Sequence, residues 1–426
     1  MIETPSAKAG NICRHLIGPA LPVLGLSCFL LTIAPSSGLS KVEGDTIVLG
    51  AAVSFSGDYA ILGQHTKNGY DLAVATINKK GGVKVRNKTY RMKIRYYDDE
   101  SDKKLSAVLA ERLIQKDNIK FLLGPYSSAL TKAMAPVIEK YKIPMIEANG
   151  ASRAIFAQGY RYMFGVLSTS EQYLSSVVDL AAKIEKKAGK NPSDLTLAIV
   201  AENDVFSLDV RNGIIDRARK FNIEVLLDEK FPPNFDDSSG IFEKVKNLKP
   251  TILIATGHSK GASAAAQHIK EMKIAIPMVG MTHCESSKII EKFGAATEGI
   301  LCATQWSETL KYKGPIFRNA RTFSRAYLKN FKEYKNTPYQ AAESAAAVIV
   351  WKDAFERANT FDTEKLRSAI AATNLRTFYG HIKFAATGQN IAKPMVLRQI
   401  QKGKFRVVTP IEWASWPLVY PRPEPE

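Results

Sequence analysis

No Walker-type phosphate loop, dinucleotide glycine fingerprint, paired-cysteine zinc spacing or HExxH helix occurs in the 426 residues. That removes the nucleotide, dinucleotide and zinc chemistries those spacings serve, and no cofactor or metal is expected. Cysteine is scarce, at four residues, and two of them, Cys13 and Cys28, fall in the first forty. The remaining pair, Cys284 and Cys302, suits one disulfide if the chain is exported, and otherwise reads as two buried thiols. No long apolar run follows the first forty residues, so the body is expected to be soluble. Acidic charge is in deficit, leaving a formal net charge of +18. The lysines are nevertheless scattered over amphipathic helices (Lys183, Lys186, Lys187, Lys190; Lys244, Lys246, Lys249), and no aromatic-interleaved basic run accompanies them. No nucleic-acid partner is therefore expected, and a solvated basic surface near anionic membrane or wall polymers explains the charge.

Residues 1–40 differ from the rest. Lys8, Arg14 and His15 precede an apolar run from Leu16 to Ala34, broken by Pro19 and Pro22, and Gly38 and Ser40 stand just before Lys41. This is the layout of a secretory signal peptide, too short and too interrupted for a spanning helix. A lipid attachment at Cys28 fits less well, because the apolar run continues beyond it. The mature chain is expected to begin near Lys41 and to be exported.

What remains is too long for one ordinary core, which points to two domains. Ile47–Val53 is a nearly continuous apolar strand, and a helix with Tyr70, Ala73, Val74 and Ile77 follows, stopped at Gly81-Gly82. Strand and helix then alternate through Met92–Tyr96, a helix capped at Ser101, and a strand at Phe121–Leu123. A second series of the same style begins after Leu167: Ser168 and Glu171 have capping-box spacing, and strands are expected at Leu197–Ala201, Ile223–Leu227, Ile252–Ala255, Pro277–Gly280 and Ile300–Ala303. Residues 315–373 read as mostly helical. The fold class is α/β, two doubly wound parallel-sheet units.

The stretch Phe121–Arg153 organises the first unit. Two adjacent strand ends, at Leu123 and Ile146, each lead into a loop of small, hydroxylated and glycine residues. Crevices outside strand carboxyl ends are where open parallel sheets hold ligands. Ser127, Ser128 and Ser152, with backbone N–H groups at helix starts, make donors suited to a carboxylate, and Tyr126 in the same loop is a further candidate for binding. The plainer alternative is that the serines only cap helices. A second motif, Gly257-His258-Ser259-Lys260-Gly261, fits G-x-S-x-G between a strand and a helix, and Asp353 or Asp362 followed by His381 would complete a serine-hydrolase order. A tight strand-to-helix turn is the commoner use of such glycines.

From Ile47 to about Gln401 the chain resembles the leucine/isoleucine/valine-binding protein family, the exported receptors of ATP-binding-cassette importers with a type I periplasmic-binding fold. The segments that carry this are SFSGDYAILGQHTKNGYDLAVATINKKGGV, YYDDESD, LLGPYSSALTKAMAPVIEKYKIPMI and FGAATEGI. The resemblance implies two lobes joined by three hinge crossings near Gly165, Thr304 and Arg376: residues 41–165 with 305–376, and 166–304 with 377–410, followed by a Pro/Trp-rich tail at 411–426. It implies no enzyme but a monomeric periplasmic receptor that closes over a small carboxylate-bearing solute and delivers it to membrane permease subunits. Carried over, Ser128, Ala151 and Ser152 grip the carboxylate, and Phe206 and His258 supply second-lobe rings. Thr282-His283 stands where leucine-type members carry a glutamate for the ligand's ammonium, and neither residue replaces a carboxylate. Either Glu202 or Asp204 replaces that glutamate, or the solute has no amine; a branched-chain or other amino acid is slightly preferred over an aliphatic or aromatic acid. A ligand-sensing module for a signalling partner is a further alternative.

Overall fold

A computed structural model describes residues 42–233 and 237–424. The expected signal peptide, residues 1–40, lies outside the described residues. The body is built on two seven-stranded sheets. The first runs Val83–Val85, Lys88–Asp98, Thr46–Val53, Leu122–Leu123, Met145–Glu147, Met163–Gly165, with Val42–Glu43 paired to Thr46–Val53. Its four central pairings are parallel, and the edge hairpin 83–98 is antiparallel. That hairpin turns on Arg86 and Asn87, both at positive φ, the conformation a two-residue turn between twisted strands requires. The second sheet runs Lys404–Thr409, Val396–Gln401, Leu301–Thr304, Met278–Met281, Ile252–Thr256, Thr196–Glu202, Glu224–Phe231. Only its two C-terminal strands are antiparallel.

The helix Tyr339–Ala358 is buried almost all round and forms the spine of the first lobe. It packs on helix Ala60–Lys79 so closely that a Cβ on Gly69 would stand 2.2 Å from Ala341 O. Trp351 fills the other side and donates its indole N–H to Leu122 O. The second lobe splits its apolar residues into two clusters, one on each face of its sheet, as a doubly wound layer requires.

Several sequence expectations shift. The cap of helix Lys103–Gln115 is Asp102, which accepts from Leu105 N, while Ser101 Oγ donates to Ser56 O. Ser168 heads no capping box: its side chain donates to Lys393 O, residues 170–172 form a 3-10 turn, and the helix starts at Ser175. Past Arg376, Phe378, Tyr379, Ile382 and Phe384 still pack in the cluster that holds helix Tyr339–Ala358, and Val396–Gln401 is the next strand paired in the second sheet. The chain therefore changes lobes between Ala385 and Val396. The tail is tied to the second lobe through Val419 and Pro417 on Gln399 and Gln401, and through buried Arg422 on Pro277 O and Ala296 O. Among the described residues no helix is long and apolar enough to cross a membrane.

Candidate functional site

On the first lobe, three strand ends bring three loops together. The turn after Val53 is held by Asp98, which accepts from Phe55 N and from Ser56 N and Oγ, and by Asp99, which accepts from Ser54 Oγ at 2.6 Å. This brace joins two of the segments that carry the family resemblance, and it presents Tyr59 to the cleft. The second loop ends in Ser127 and Ser128 at the start of the 14-residue helix Ser128–Tyr141. The third, Ala148–Ser152, is pinned by Glu147, which is fully buried and accepts from Asn149 N, Gly150 N and Thr131 Oγ1. Burial pushes the Glu147 carboxyl up to about 7, against those hydrogen bonds.

Ser127 and Ser152 stand at N-cap positions, yet neither side chain makes a capping bond. Ser152 N donates to Ser128 Oγ at 3.1 Å, and Ser152 Oγ is buried without a partner. Capping alone therefore does not account for these serines.

The second lobe faces these loops with rings. His258 lies in the turn after strand Ile252–Thr256, with its N–H on Glu202 Oε2 at 2.7 Å. That contact explains the G-x-S-x-G motif: a Cβ on Gly257 or Gly261 would fall 2.7 or 2.8 Å from the same oxygen. The hydrolase partners are engaged elsewhere, Asp353 with Arg357, Asp362 as a cap on Lys365, and His381 with Asn374. Thr282 bonds Gly257 N and O, so its hydroxyl is spent inside the lobe.

Tyr126, from the first lobe, bridges to the second: its hydroxyl is 2.7 Å from His258 Nδ1 and 3.1 Å from His283 Nε2. His283 Nδ1 is 2.9 Å from Gly257 O, so it carries the proton and Nε2 accepts. Tyr126 then donates to His283 and receives a proton bond from His258, whose Nε2 faces Asp204 Oδ1 at 3.4 Å. The electrostatics agree with this polarity. Burial lowers the His258 pKa, but Asp204 and Glu202 outweigh it and the net direction is upward. Burial, with the nearby His258 charge, lowers His283 to about 3. His258 is thus the donor to Tyr126 and His283 the acceptor from it.

Rings surround this chain. Centroid separations are 5.1 Å for Tyr59–His258, 5.4 Å for Phe206–His258 and 5.1 Å for Tyr173–Phe206. Ala151 packs with the second-lobe cluster that contains Phe206. A further bond across the lobes runs from Arg153 to Asp209, Nε to Oδ1 at 2.8 Å and N to Oδ2 at 2.9 Å. The structure therefore brings together Tyr126, Ser127, Ser128, Ala151, Ser152, Phe206 and His258. It consumes Thr282 locally. Of the two candidate ammonium partners, Glu202 holds His258 N, and Asp204 caps helix Val205–Lys220 through Phe206 N and Ser207 N. Tyr59, Glu147 and Asp209 were not singled out from sequence; only the juxtaposition of strand ends distant in sequence reveals them. Cys284 and Cys302 are joined in a disulfide behind the second-lobe loops. A surface cleft of about 460 Å³ near that disulfide carries both signs of charge, and its buried Arg398 is already paired with Glu285 and stacked over Phe405.

Two doubly wound lobes, joined by three crossings and closed over hydroxylated loops and rings, define a hinged solute-binding protein. The chain belongs to the periplasmic binding protein family, whose model matches residues 46–404. It is 24% identical over 410 residues to a Leu/Ile/Val-binding protein homologue of Brucella abortus (strain 2308), covering 94% of this chain and 97% of that one. Among solved structures it is similar to a leucine-binding protein of Thermotoga maritima (TM-score 0.73, 20% identity, 85% and 98% of the two chains). It is similar also to an ABC-transporter solute-binding protein of R. palustris in complex with benzoate (TM-score 0.72, 19% identity, 89% and 98%). The protein is a solute-binding protein of the periplasmic-binding family and not an enzyme. Among the described residues no cluster of metal-ligating side chains occurs.

Proposed function

We propose that the cleft captures a small carboxylate with a flat, apolar body and no obligatory amine, and that the closed monomer delivers it to membrane permease subunits from the periplasm. The carrying observation is that both cleft carboxylates are engaged within the second lobe, Glu202 on His258 N and Asp204 on its helix cap and His258. An ammonium brought in beside His258, whose charged form Asp204 and Glu202 favour, would be short of a partner, whereas a carboxylate finds the hydroxyls of Ser128 and Ser152, the N-terminus of helix Ser128–Tyr141 and that ring. Tyr59, Tyr126 and Phe206 supply faces and edges for a planar body. The benzoate complex of the R. palustris relative is consistent with such a body.

One observation favours a second reading, an amino acid: Asp204 Oδ2 is buried and makes no hydrogen bond. Calorimetry with matched pairs, hydrocinnamate against phenylalanine and 4-methylvalerate against leucine, separates the two. The acid without the amine binds more tightly in the first reading and more weakly in the second. In either case Ser128→Ala and Ser152→Ala each cost about 1–3 kcal/mol of binding, the value of a hydrogen bond to a charged group. Unchanged affinity in both variants would move the site elsewhere.

A further inference from the structure

We infer that Gln305 is a positioning residue for solute capture: its side-chain amide couples the second hinge crossing to the other two and favours the closed arrangement of the lobes. Gln305 follows directly on strand Leu301–Thr304, where the chain leaves the second lobe, and is fully buried. Its Oε1 accepts from Ser168 N at 3.1 Å, from Tyr379 Oη at 3.1 Å and from Lys393 Nζ at 2.9 Å. Its Nε2 donates to Ser168 O at 2.8 Å and to Tyr173 Oη at 2.9 Å. Ser168 lies on the first crossing and Lys393 on the third. Tyr379 belongs to the first-lobe core and is within 3.2 Å of the buried Glu343 carboxylate, while Tyr173 belongs to the second-lobe core. One amide thus holds groups from all three crossings and from both lobes.

Orientation of this amide is not arbitrary. Turning it over would set NH2 against the Ser168 N–H and the Lys393 amine, and the carbonyl against Ser168 O. No other side chain of this size offers an acceptor and two donors in one plane: a carboxylate loses the donors, and an aliphatic chain loses everything. Crossings one and three need no such link, being joined already by Gly165 N on Gly388 O, by Asn390 Nδ2 on Val166 O and by Ser168 Oγ on Lys393 O. Gln305 supplies the side-chain link that brings in the second. Hinge closure rotates the crossings about one another, so bonds that hold all three in one register bias the open–closed equilibrium. Gln305 is named in none of the expectations from sequence, and no ligand group need touch it.

The role of Gln305 does not depend on which solute binds, and no solute is needed to observe it. Nitroxide labels at Lys116→Cys on the first lobe and Lys220→Cys on the second report the interlobe distance distribution of the disulfide-intact protein without solute. Gln305→Met is expected to lower the closed component at least fivefold, and Tyr379→Phe to lower it less. Ile370→Val, a core change in the first lobe away from the hinge, serves as the stability control and should leave the distribution in place. An unchanged distribution in Gln305→Met overturns the inference. So does an equal shift in Ile370→Val, which would mean that lost stability alone opens the lobes, and so does a wild-type protein with no closed component.

Discussion

In each lobe a strand one in from the sheet edge ends in a buried glutamate that pins a loop, yet the lobes use the device differently. In the first lobe Glu147 holds its own loop through Asn149 N and Gly150 N, and what it presents is small: Ala151, Ser152 and, across the gap, Ser128. In the second lobe Glu202 reaches to the next strand's loop, holds His258 N, and what it helps present is a ring that can carry charge. Burial raises both carboxyls, but at Glu202 the His258 charge acts against it. The first lobe therefore offers fixed hydrogen-bond geometry, and the second offers aromatic area and a titratable ring. In the function proposed above, a carboxylate docks on the first lobe and the second closes over its body. Only the second lobe is cross-linked, by Cys284–Cys302.

The cross-link gives the largest expected difference between the lobes. With 18 residues of separation, Cys284→Ala with Cys302→Ala should cost the second lobe about 3 kcal/mol, the chain-entropy figure for a loop of this order. Denaturant unfolding followed by amide exchange should show protection falling in strands Met278–Met281 and Leu301–Thr304 while helix Tyr339–Ala358 keeps its own. A uniform loss across both lobes would mean that they unfold as one unit and would end the comparison on this point.

A pH dependence sharpens it further. His283 has its folded pKa lowered to about 3 by burial and by the His258 charge, against about 6.5 unfolded. The unfolded chain thus binds the extra proton between pH 6.5 and 3, so stability from this group is fully present above 6.5 and is lost as pH falls. By pH 5 the loss is about 2 kcal/mol. The first lobe carries a histidine of the same kind, His65, also near 3, but Glu147 with a folded pKa of about 7 works in the opposite direction over pH 4.5–7. Relative to wild type, His283→Gln should therefore gain about 2 kcal/mol on going from pH 7 to pH 5, measured by urea unfolding. A constant difference between the two proteins would show that the His283 pKa is the same in the fold as in the unfolded chain.

Much of the first lobe's site was legible because its information is local. Ser127, Ser128 and Ser152 sit in loops that follow apolar strands, and strand–loop–helix order alone places them at one sheet edge. The second lobe's rings needed the family resemblance, since Phe206 and His258 stand 52 residues apart and no periodicity links them. Glu202 was noticed as a charge, but a carboxylate at a strand end gives no sign in sequence of the backbone N–H it accepts from, here that of His258. The bonds of the Thr282 hydroxyl to Gly257 are hidden in the same way. The hinge was the least legible part. Ser168 with Glu171 satisfied a capping pattern, but bonds to Gln305 and Lys393, 137 and 225 residues away, determined its place.

The smallest expected effect lies where the lobes meet. Asp209, on the second-lobe helix Val205–Lys220, accepts from Arg153 N and Nε of the first lobe and from Ser170 Oγ at 2.6 Å just past the first crossing. The carboxylate is buried, but the Arg153 side chain is 42% exposed, so water and salt screen much of the attraction. Asp209→Asn keeps the shape and one acceptor oxygen while removing the charge, and the expected cost to closure is about 1 kcal/mol, roughly a fivefold weaker affinity for whichever acid binds. Because the solute's own carboxylate is also screened, the informative quantity is the difference in salt dependence. Between 20 mM and 500 mM sodium chloride the wild-type affinity should fall more steeply than that of the variant, with the two converging at high salt. Parallel salt slopes would place the Arg153–Asp209 pair in both the open and the closed arrangements, and leave the serine loops and the rings as the contacts that distinguish them.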